Sequence, residues 1–342
     1  MSHKIAVIPG DGIGPEVITE GAKLLESLDF KLTYFDWGAE KFLQEGIGLP
    51  QDALEMLEKN FDAIYFGALG DPRIPDMAHG REILLGLRTG LDLYVNFRPI
   101  MLLHPTLGVL SKNQGIDFVV FRENTQDCYL GRGETKHAGT QKEVTIDESM
   151  HSYAGVERII KQAFEHAQNT GRKSVHLGHK ANAIKFGGPL WLRVFREVAK
   201  SYPDIQAKEQ HIDLMALEFV RAPEQFEVIV TSNLFGDILT DLGAGLVGGL
   251  GLAASGNWHP GKIGLFEPVH GSAPDIAGQN KANPMAAFLS AALLLDFLGQ
   301  KEPAQATQNA VKQAITQGIC TPDLGGQKTT QEVGSFIRNQ IL

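Results

Sequence analysis

Apolar residues in this chain recur with two different periods, and the alternation between them predicts the architecture. Lys4–Pro9 is a short β-branched run, and beyond the turn Pro9–Glu16 (PGDGIGPE) a helical spacing extends from Val17 to Leu28. Leu32–Phe35 and Ala63–Phe66 read as strands, with Leu54–Leu57 in a helix between them. Glu82–Gly90 is expected to be helical and to lead into Leu91–Pro99, with Arg98 at a strand end. Phe118–Phe121 is a buried strand that delivers Arg122 to its C-terminal end. Further on, Ser152–Gln168 and Trp191–Ala199 carry helical patterns, while Ser174–Leu177 and Phe226–Val230 are strand-like. Ala286–Leu298, Pro303–Gln317 and Thr329–Ile341 are expected as closing helices. Strands alternating with helices from the outset argue for an α/β sheet with crossovers.

Two stretches break the pattern. Glu123–Met150 is polar and poorly periodic, with only Glu143–Ile146 strand-like, so it is either a mobile loop or an arm that pairs with a partner subunit. Leu265–Pro284 (LFEPVHGSAPDIAGQNKANP) is dense in glycine, proline and small residues, and is expected to be a functional loop.

Composition narrows the classes. The 342 residues suffice for two domains or lobes, and 43% hydrophobic with 21% charged residues is ordinary for a globular chain. A net charge of −9 argues against a broad nucleic-acid or anionic-membrane surface, though not against a basic pocket for an acidic metabolite. Two cysteines, Cys128 and Cys320, are too few for a disulfide framework and point to a reducing compartment. With no signal-peptide pattern and no apolar run long enough to span a bilayer, a cytoplasmic protein is expected.

The candidate chemistry starts from TSNLFGDILTDLGAGLVGGLG (Thr231–Gly251). If Leu234–Leu242 is helical, with Ser232 or Asn233 as N-cap and the glycines from Gly243 ending it, Asp237 and Asp241 stack one turn apart. Two like charges there repel, and a hard divalent cation would offset them; a solvated acidic face is the alternative. Arg88, Arg98 and Arg122 arrive at element ends, as bidentate binding of a polycarboxylate requires, or they form separate surface ion pairs. Lys180, just past a buried strand, could transfer a proton or snorkel to solvent. Asp213 lies among apolar residues, where an unpaired carboxylate is costly. GDGIGPE, followed by Asp36, imitates a dinucleotide fingerprint, but Pro15 stands where the third glycine belongs. These glycines more naturally serve a tight turn or a close backbone approach.

Six motifs in order, GDGIGPE (10–16), LDLYVNFRP (91–99), FRENTQDCY (121–129), HKAN (179–182), TSNLFGDILTD (231–241) and EPVHGSAPDIAG (267–278), resemble one family. It comprises the metal-dependent β-hydroxyacid oxidative decarboxylases, among them the 3-isopropylmalate, isocitrate, homoisocitrate and D-malate/tartrate dehydrogenases. The resemblance covers essentially the whole chain and implies a two-domain α/β fold of the isopropylmalate dehydrogenase type, a central mixed sheet flanked by helices and not a Rossmann fold. It implies a discontinuous large cofactor-binding domain (1–98 and 246–342) and a small dimerisation domain (99–245), whose arm at about 123–150 joins two subunits.

By the same resemblance NAD lies on 265–284, with Ile13, Asn182, His270, Gly271, Ala273, Asp275, Ile276 and Asn283 as contacts. Asp275 would accept from a free ribose 2′-OH and repel the 2′-phosphate of NADP. Mg²⁺ or Mn²⁺ would be held by Asp237, Asp241 and the Asp213 of a second subunit. Lys180, likewise supplied across the dimer, would take the substrate hydroxyl proton, and Tyr129 would protonate the enolate carbon or relay a proton to it. Arg88, Arg98 and Arg122 would clamp a malate-like dicarboxylate, and Leu84 and Leu85 would meet its 3-substituent. An apolar surface there points to 3-isopropylmalate and leucine biosynthesis. Arg81 and the nearby His79 keep a homoisocitrate- or isocitrate-type substrate open, and RENT (122–125) leans toward D-malate or tartrate. A non-catalytic regulatory homologue would have lost Lys180, Tyr129 or an Asp ligand, and none is lost. A homodimer or higher oligomer with shared sites is implied, with no nucleic-acid or membrane partner.

Overall fold

The computed structural model describes residues 3–111 and 115–341. In chain order the elements are β1 (Lys4–Ile8), α1 (Gly14–Ser27), β2 (Lys31–Tyr34), α2 (Ala39–Glu45), α3 (Ala53–Asn60) and β3 (Ala63–Phe66). A helical stretch follows, made of α4 (Ala78–Gly80), a π-helical segment (Arg81–Leu85) and α5 (Gly86–Gly90). Then come β4 (Val95–Met101), β5 (Asp117–Glu123), β6 (Gly133–Lys136), β7 (Val144–Asp147), α6 (Tyr153–Thr170), β8 (Ser174–His179), α7 (Gly187–Ala199), β9 (Gln206–His211), α8 (Ile212–Arg221), β10 (Val228–Thr231) and α9 (Asn233–Leu246). The chain closes with β11 (Ala254–Trp258), β12 (Gly264–Pro268), α10 (Met285–Phe297), α11 (Lys301–Thr316) and α12 (Thr330–Asn339).

These elements form two compact units: the described residues of 1–93, 101–114 and 244–342, and those of 94–100 and 115–243. The first carries strands in the order β2-β1-β3-β12-β11, parallel except for the antiparallel pair β11–β12. KIAVI shows why this sheet is covered on both faces. Ile5 and Val7 pack with Val17, Ile18 and Leu294, whereas Ala6 and Ile8, pointing the other way, pack with Leu57, Ile64 and Leu87. α10 carries apolar residues all round because it is buried all round.

The second unit has the order β4-β5-β10-β8-β9, with β5, β10, β8 and β9 parallel. Its register matters for function. Arg122 on β5 lies opposite Thr231 on β10, and Thr231 lies opposite Gly178 on β8. The segments carrying Tyr129, Asp237 and Lys180 therefore leave neighbouring strands at one C-terminal edge, where open α/β sheets bind ligands.

Several sequence expectations need correction. Arg98 sits inside β4, not at a strand end, because the pairing run starts at Val95 and continues to Met101. α9 does not stop at Gly243: the absent side chain lets Ile100 pack against the helix, since a Cβ there would lie 2.7 Å from Ile100 Cδ1, and the helix continues to Leu246. The start of 265–284 is not loop but β12, whose all-buried residues pair with β3 and β11. Asp213 is not buried among apolar residues; its side chain is 67% exposed and bound to Lys180. The segment 123–150 holds a strand that its composition hides, β6, which pairs with β7 as a hairpin exposed throughout.

His166 and His176 generate a prediction about stability. Burial first, then the charge of Arg172 beside His166 and of Lys208 beside His176, lowers both from 6.5 to about 4. Both rings are thus neutral in the fold and protonate more readily once unfolded. Their contribution is complete above the unfolded value and is lost as pH falls from 6.5 toward about 4. Urea midpoints measured across that window should drop, and a His166→Gln/His176→Gln variant should show a flatter pH dependence.

Candidate active site

The site grows from α9. Asp237 and Asp241 share one face of it, as their spacing predicts, and β4 and β5 bring two arginines to that face. Arg122, 1% exposed, donates from Nε to Asn233 Oδ1 at 2.7 Å and from Nη1 to Asp237. Arg98 donates from Nη1 to Thr240 Oγ1 at 2.8 Å and lies 3.7 Å from Asp237 and 3.5 Å from Asp241. The Tyr129 hydroxyl donates to the second Asp237 oxygen at 2.7 Å, and its ring lies under the Arg122 guanidinium. Gly236 makes this approach possible, because a Cβ there would lie 2.6 Å from Arg122 Cγ.

The two carboxylates differ electrostatically. Burial works to raise Asp237, but Arg122, the Tyr129 hydroxyl and Arg98 outweigh it and hold its pKa below the usual value. Asp241 is pushed up, first by burial and also by the charge of Asp237, with Arg98 opposing. Tyr129 is raised to about 12 by burial and by its bond to Asp237, so it is a protonated donor at neutral pH. An anionic pair on one helical turn, one member of it strained toward protonation, is a donor set that suits a hard divalent cation. Among the described residues no three ligating side chains cluster, so Asp213 does not join Asp237 and Asp241 within one chain. It instead binds Lys180 Nζ at 2.6 Å, and that lysine is one-quarter exposed.

The remaining expected residues lie in the first unit, apart from Asn182, which is exposed after β8. Arg88, buried on α5, donates from Nη2 to Glu267 Oε1 at 2.8 Å, while its buried Nε has no partner. Leu84 and Leu85 are half-buried on the π-helical segment. Ile13 is buried, and its amide donates to Ser272 O at 2.8 Å, tying the GDGIG turn to 265–284. The GDGIG glycines serve that turn itself: Gly10 (φ +73) and Gly12 (φ +57) press on the Ala68 and Ser272 carbonyls, with no room for a Cβ. In 270–283, the buried His270 Nε2 has no partner, Ala273 is left-handed (φ +36), Gly271 and Asp275 are exposed, Ile276 is half-buried, and Asn283 is held by Asp323 at 2.9 Å. An orphaned imidazole nitrogen beside exposed backbone and carboxylate is a surface that fits a polar cofactor.

Four residues escaped the sequence reading although they lie in or beside the motifs. Glu267 holds Arg88, Asn233 and Thr240 hold Arg122 and Arg98, and Asp11 is a hub. The Asp11 carboxylate accepts from Ala39 N at 2.7 Å and Gly70 N at 2.9 Å, and pairs with His79 Nε2 at 3.0 Å. His79 is thus wholly buried in a structural bond. Arg81 turns back to the Asp76 carbonyl at 3.2 Å.

Within the second unit, two buried arginines against a paired carboxylate turn on an α/β framework suit a small anionic metabolite. The profile of the isocitrate/isopropylmalate dehydrogenase family matches residues 4–337. The chain belongs to that family. It is 45% identical to the 3-isopropylmalate dehydrogenase of Streptomyces griseus, with 99% of each chain covered. It is equally 45% identical to that of Mycobacterium tuberculosis, over 94% of this chain and 98% of the relative. Among solved structures it resembles an isocitrate dehydrogenase from Methylococcus capsulatus (TM-score 0.90, 36% identity, 99% of both chains). A β-decarboxylating dehydrogenase from Thermococcus kodakarensis is also similar (TM-score 0.82, 36% identity, 99% of this chain and 96% of that one). No helix among the described residues is long and apolar enough to cross a membrane.

Gly236→Ala should displace Arg122 and lower kcat/KM by about tenfold or more, despite the better helix propensity of alanine. Steady-state kinetics beside a thermal melt checks this; unchanged kcat/KM would show that Arg122 is free to shift.

Proposed function

We propose that this chain is a 3-isopropylmalate dehydrogenase. It oxidises and decarboxylates the substrate to 4-methyl-2-oxopentanoate and CO₂ with formation of NADH, a step of leucine biosynthesis. The observation that carries the reading is the convergence of Arg98, Arg122 and Tyr129 on Asp237 and Asp241. Relatives at 45% identity carrying that enzyme's name support the substrate. So does the apolar pair Leu84 and Leu85, since the polar neighbours Arg81 and His79 are engaged elsewhere. RENT (122–125) leans toward D-malate or tartrate, but the relatives at 45% identity carry the 3-isopropylmalate dehydrogenase name and outweigh it.

A divalent cation, Mg²⁺ or Mn²⁺, would supply Lewis-acid polarisation of the substrate hydroxyl and the carbonyl it becomes, and NAD would accept the hydride. Asp237 and Asp241 would hold the cation from one subunit and Asp213 from a second copy. Arg98 and Arg122 would hold malate carboxylates in that field, and Arg88 is read as a further substrate arginine. Lys180, paired with Asp213 at 2.6 Å, would take the hydroxyl proton. Tyr129, protonated at neutral pH, would deliver its proton to the carbon that has lost CO₂. Ile13, Asn182, His270, Gly271, Ala273, Asp275, Ile276 and Asn283 would bind NAD, with Asp275 selecting against the NADP phosphate.

A homodimer with shared sites fits two exposed apolar faces: Leu214, Leu217 and Val220 on α8, and Leu234 and Ile238 on α9. We read 1–98 with 246–342 as the large cofactor-binding domain, 99–245 as the dimerisation domain, and the β6–β7 hairpin as its arm. Two unpaired cysteines suit a cytoplasmic setting.

With Mg²⁺ present, a panel of 3-substituted malates against NAD and NADP should show turnover with 3-isopropylmalate and NAD. Preference for D-malate or tartrate would refute the substrate. Lys180→Met and Asp241→Asn should each be inactive. Refolding the two together should restore roughly a quarter of wild-type activity through mixed dimers carrying one intact site. No recovery would count against shared sites. Asp275→Lys with Ile276→Tyr should move preference toward NADP, and an unchanged cofactor ratio would remove Asp275 as the selector.

A further inference from the structure

Tyr129 lies in the short turn Asp127–Leu130, and the turn opens on an unusual residue. Asp127 adopts φ +74, in the left-handed region that favours glycine, and it is 4% exposed. The first costs backbone energy and the second disfavours an ionised carboxylate, so compensating bonds are required; the Cys128 amide supplies one at 2.9 Å, and the others come from α9 and from Ser149. The Leu234 amide, in the first turn of α9, donates to one carboxylate oxygen at 3.1 Å, and Ser232 just before that helix also donates. The Ser149 hydroxyl donates to the other oxygen and is itself bonded to His151 Nε2 at 2.9 Å. His151 Nδ1 in turn accepts from Trp191 Nε1 at 3.3 Å. The Asp127 amide donates to Met150 O at 2.9 Å, closing the base of the 123–150 segment. Burial works to raise the carboxyl pKa, but the hydrogen bonds from Ser149, Leu234 and Ser232 prevail and keep it low.

We infer that Asp127 is the positioning residue that sets the Tyr129 hydroxyl against Asp237, by gripping the start of α9 with its side chain while its left-handed backbone turns the chain toward that helix. Asp237 follows Leu234 by less than one helical turn, so one carboxylate fixes both the donor's turn and the acceptor's helix. The step served is the last one. After the C3–carboxylate bond breaks and its electron pair passes into the enolate, C3 takes a proton from the Tyr129 hydroxyl, and the tyrosinate is reprotonated from solvent. Ser149 and His151 hold the far side of Asp127 and act only through it.

The inference rests on the proposed role of Tyr129, and the test separates the two. Asp127→Gly suits φ +74 and deletes the carboxylate alone; Asp127→Asn keeps an acceptor and tolerates the same backbone. In the Mg²⁺-loaded enzyme, two quantities are measured. One is kcat and KM for 3-isopropylmalate. The other is the rate of deuterium exchange into C3 of 4-methyl-2-oxopentanoate in D₂O, followed by proton NMR. Asp127→Gly should lower kcat and the exchange rate together by about tenfold or more with KM unchanged, and Asp127→Asn should recover most of both. Ser149→Ala, a milder lesion, should slow exchange several-fold and serves if Asp127→Gly does not fold. Wild-type exchange in folded Asp127→Gly, or in Ser149→Ala when the former does not fold, overturns the inference, as does a lower melting temperature with exchange intact. If Tyr129→Phe also exchanges at the wild-type rate, the reading of Tyr129 itself falls; if Tyr129→Phe is slow and Asp127→Gly is not, the positioning role alone falls.

Discussion

The constraint on which the second unit depends is the burial of the Arg122 guanidinium. A cation taken so completely out of water must be matched by hydrogen bonds and by opposite charge, or the fold loses several kcal/mol. Asn233 and Asp237 supply the match, and both belong to α9. The helix is therefore locked to β5 at its first turn, and the angle at which it leaves β10 is set by an ion pair. Gly236 follows from the same constraint, since only a missing side chain lets the arginine stem lie across the helix. The Asp237 carboxylate is consequently part of the scaffold as much as of the site.

That double duty explains the inequality of the two carboxylates. Asp237, shared among Arg122, Tyr129 and Arg98, is held ionised by positive neighbours. Asp241 is pushed toward protonation, first by burial and then by the charge of Asp237, against the pull of Arg98. A lone chain thus presents one carboxylate held by Arg122, Tyr129 and Arg98 and one met by Arg98 at 3.5 Å, while a third, Asp213, is committed to Lys180. A cation held by Asp237 and Asp241 would relieve the repulsion between them.

Much of this was legible in the sequence because it was encoded locally. The four-residue spacing of Asp237 and Asp241, close to the 3.6-residue helical repeat, puts them on one face, and strand-then-helix alternation predicts the α/β class. What escaped needed partners distant in the chain. That Asp11 ties Ala39, Gly70 and His79 together, or that Glu267 neutralises Arg88, is not expressed by any window of neighbouring residues. β6 escaped because an exposed hairpin has no buried face and so no alternation to read. Gly243 misled because glycine both ends helices and lets side chains pack close to them, and the sequence does not say which. Asp213 misled because apolar neighbours on α8 were taken as core, whereas Leu214 and Leu217 are themselves exposed.

The segment proposed to meet the substrate's 3-substituent departs locally from helical regularity. With ordinary helical spacing, His79, Ile83 and Leu87 would share a face, with Leu84 at its edge. The structure instead runs Arg81–Leu85 as a π-helical turn, which rotates the phase relative to an α-helix. Ile83 and Leu87 turn into the core beside Leu57, while Leu84 and Leu85 stay half-buried at its edge. Arg81 folds onto the Asp76 carbonyl, and His79 gives its Nε2 to Asp11. A second carboxylate brought to this segment would have to break one of those bonds, and displacing His79 would also disturb the carboxylate that holds Gly70 and the start of α2. A branched alkyl group meets no such opposition and gains from burial at roughly 25 cal/mol per Å² of apolar surface. Arg81 and His79 are thus each held by the fold, which supports the proposed apolar contact at Leu84 and Leu85.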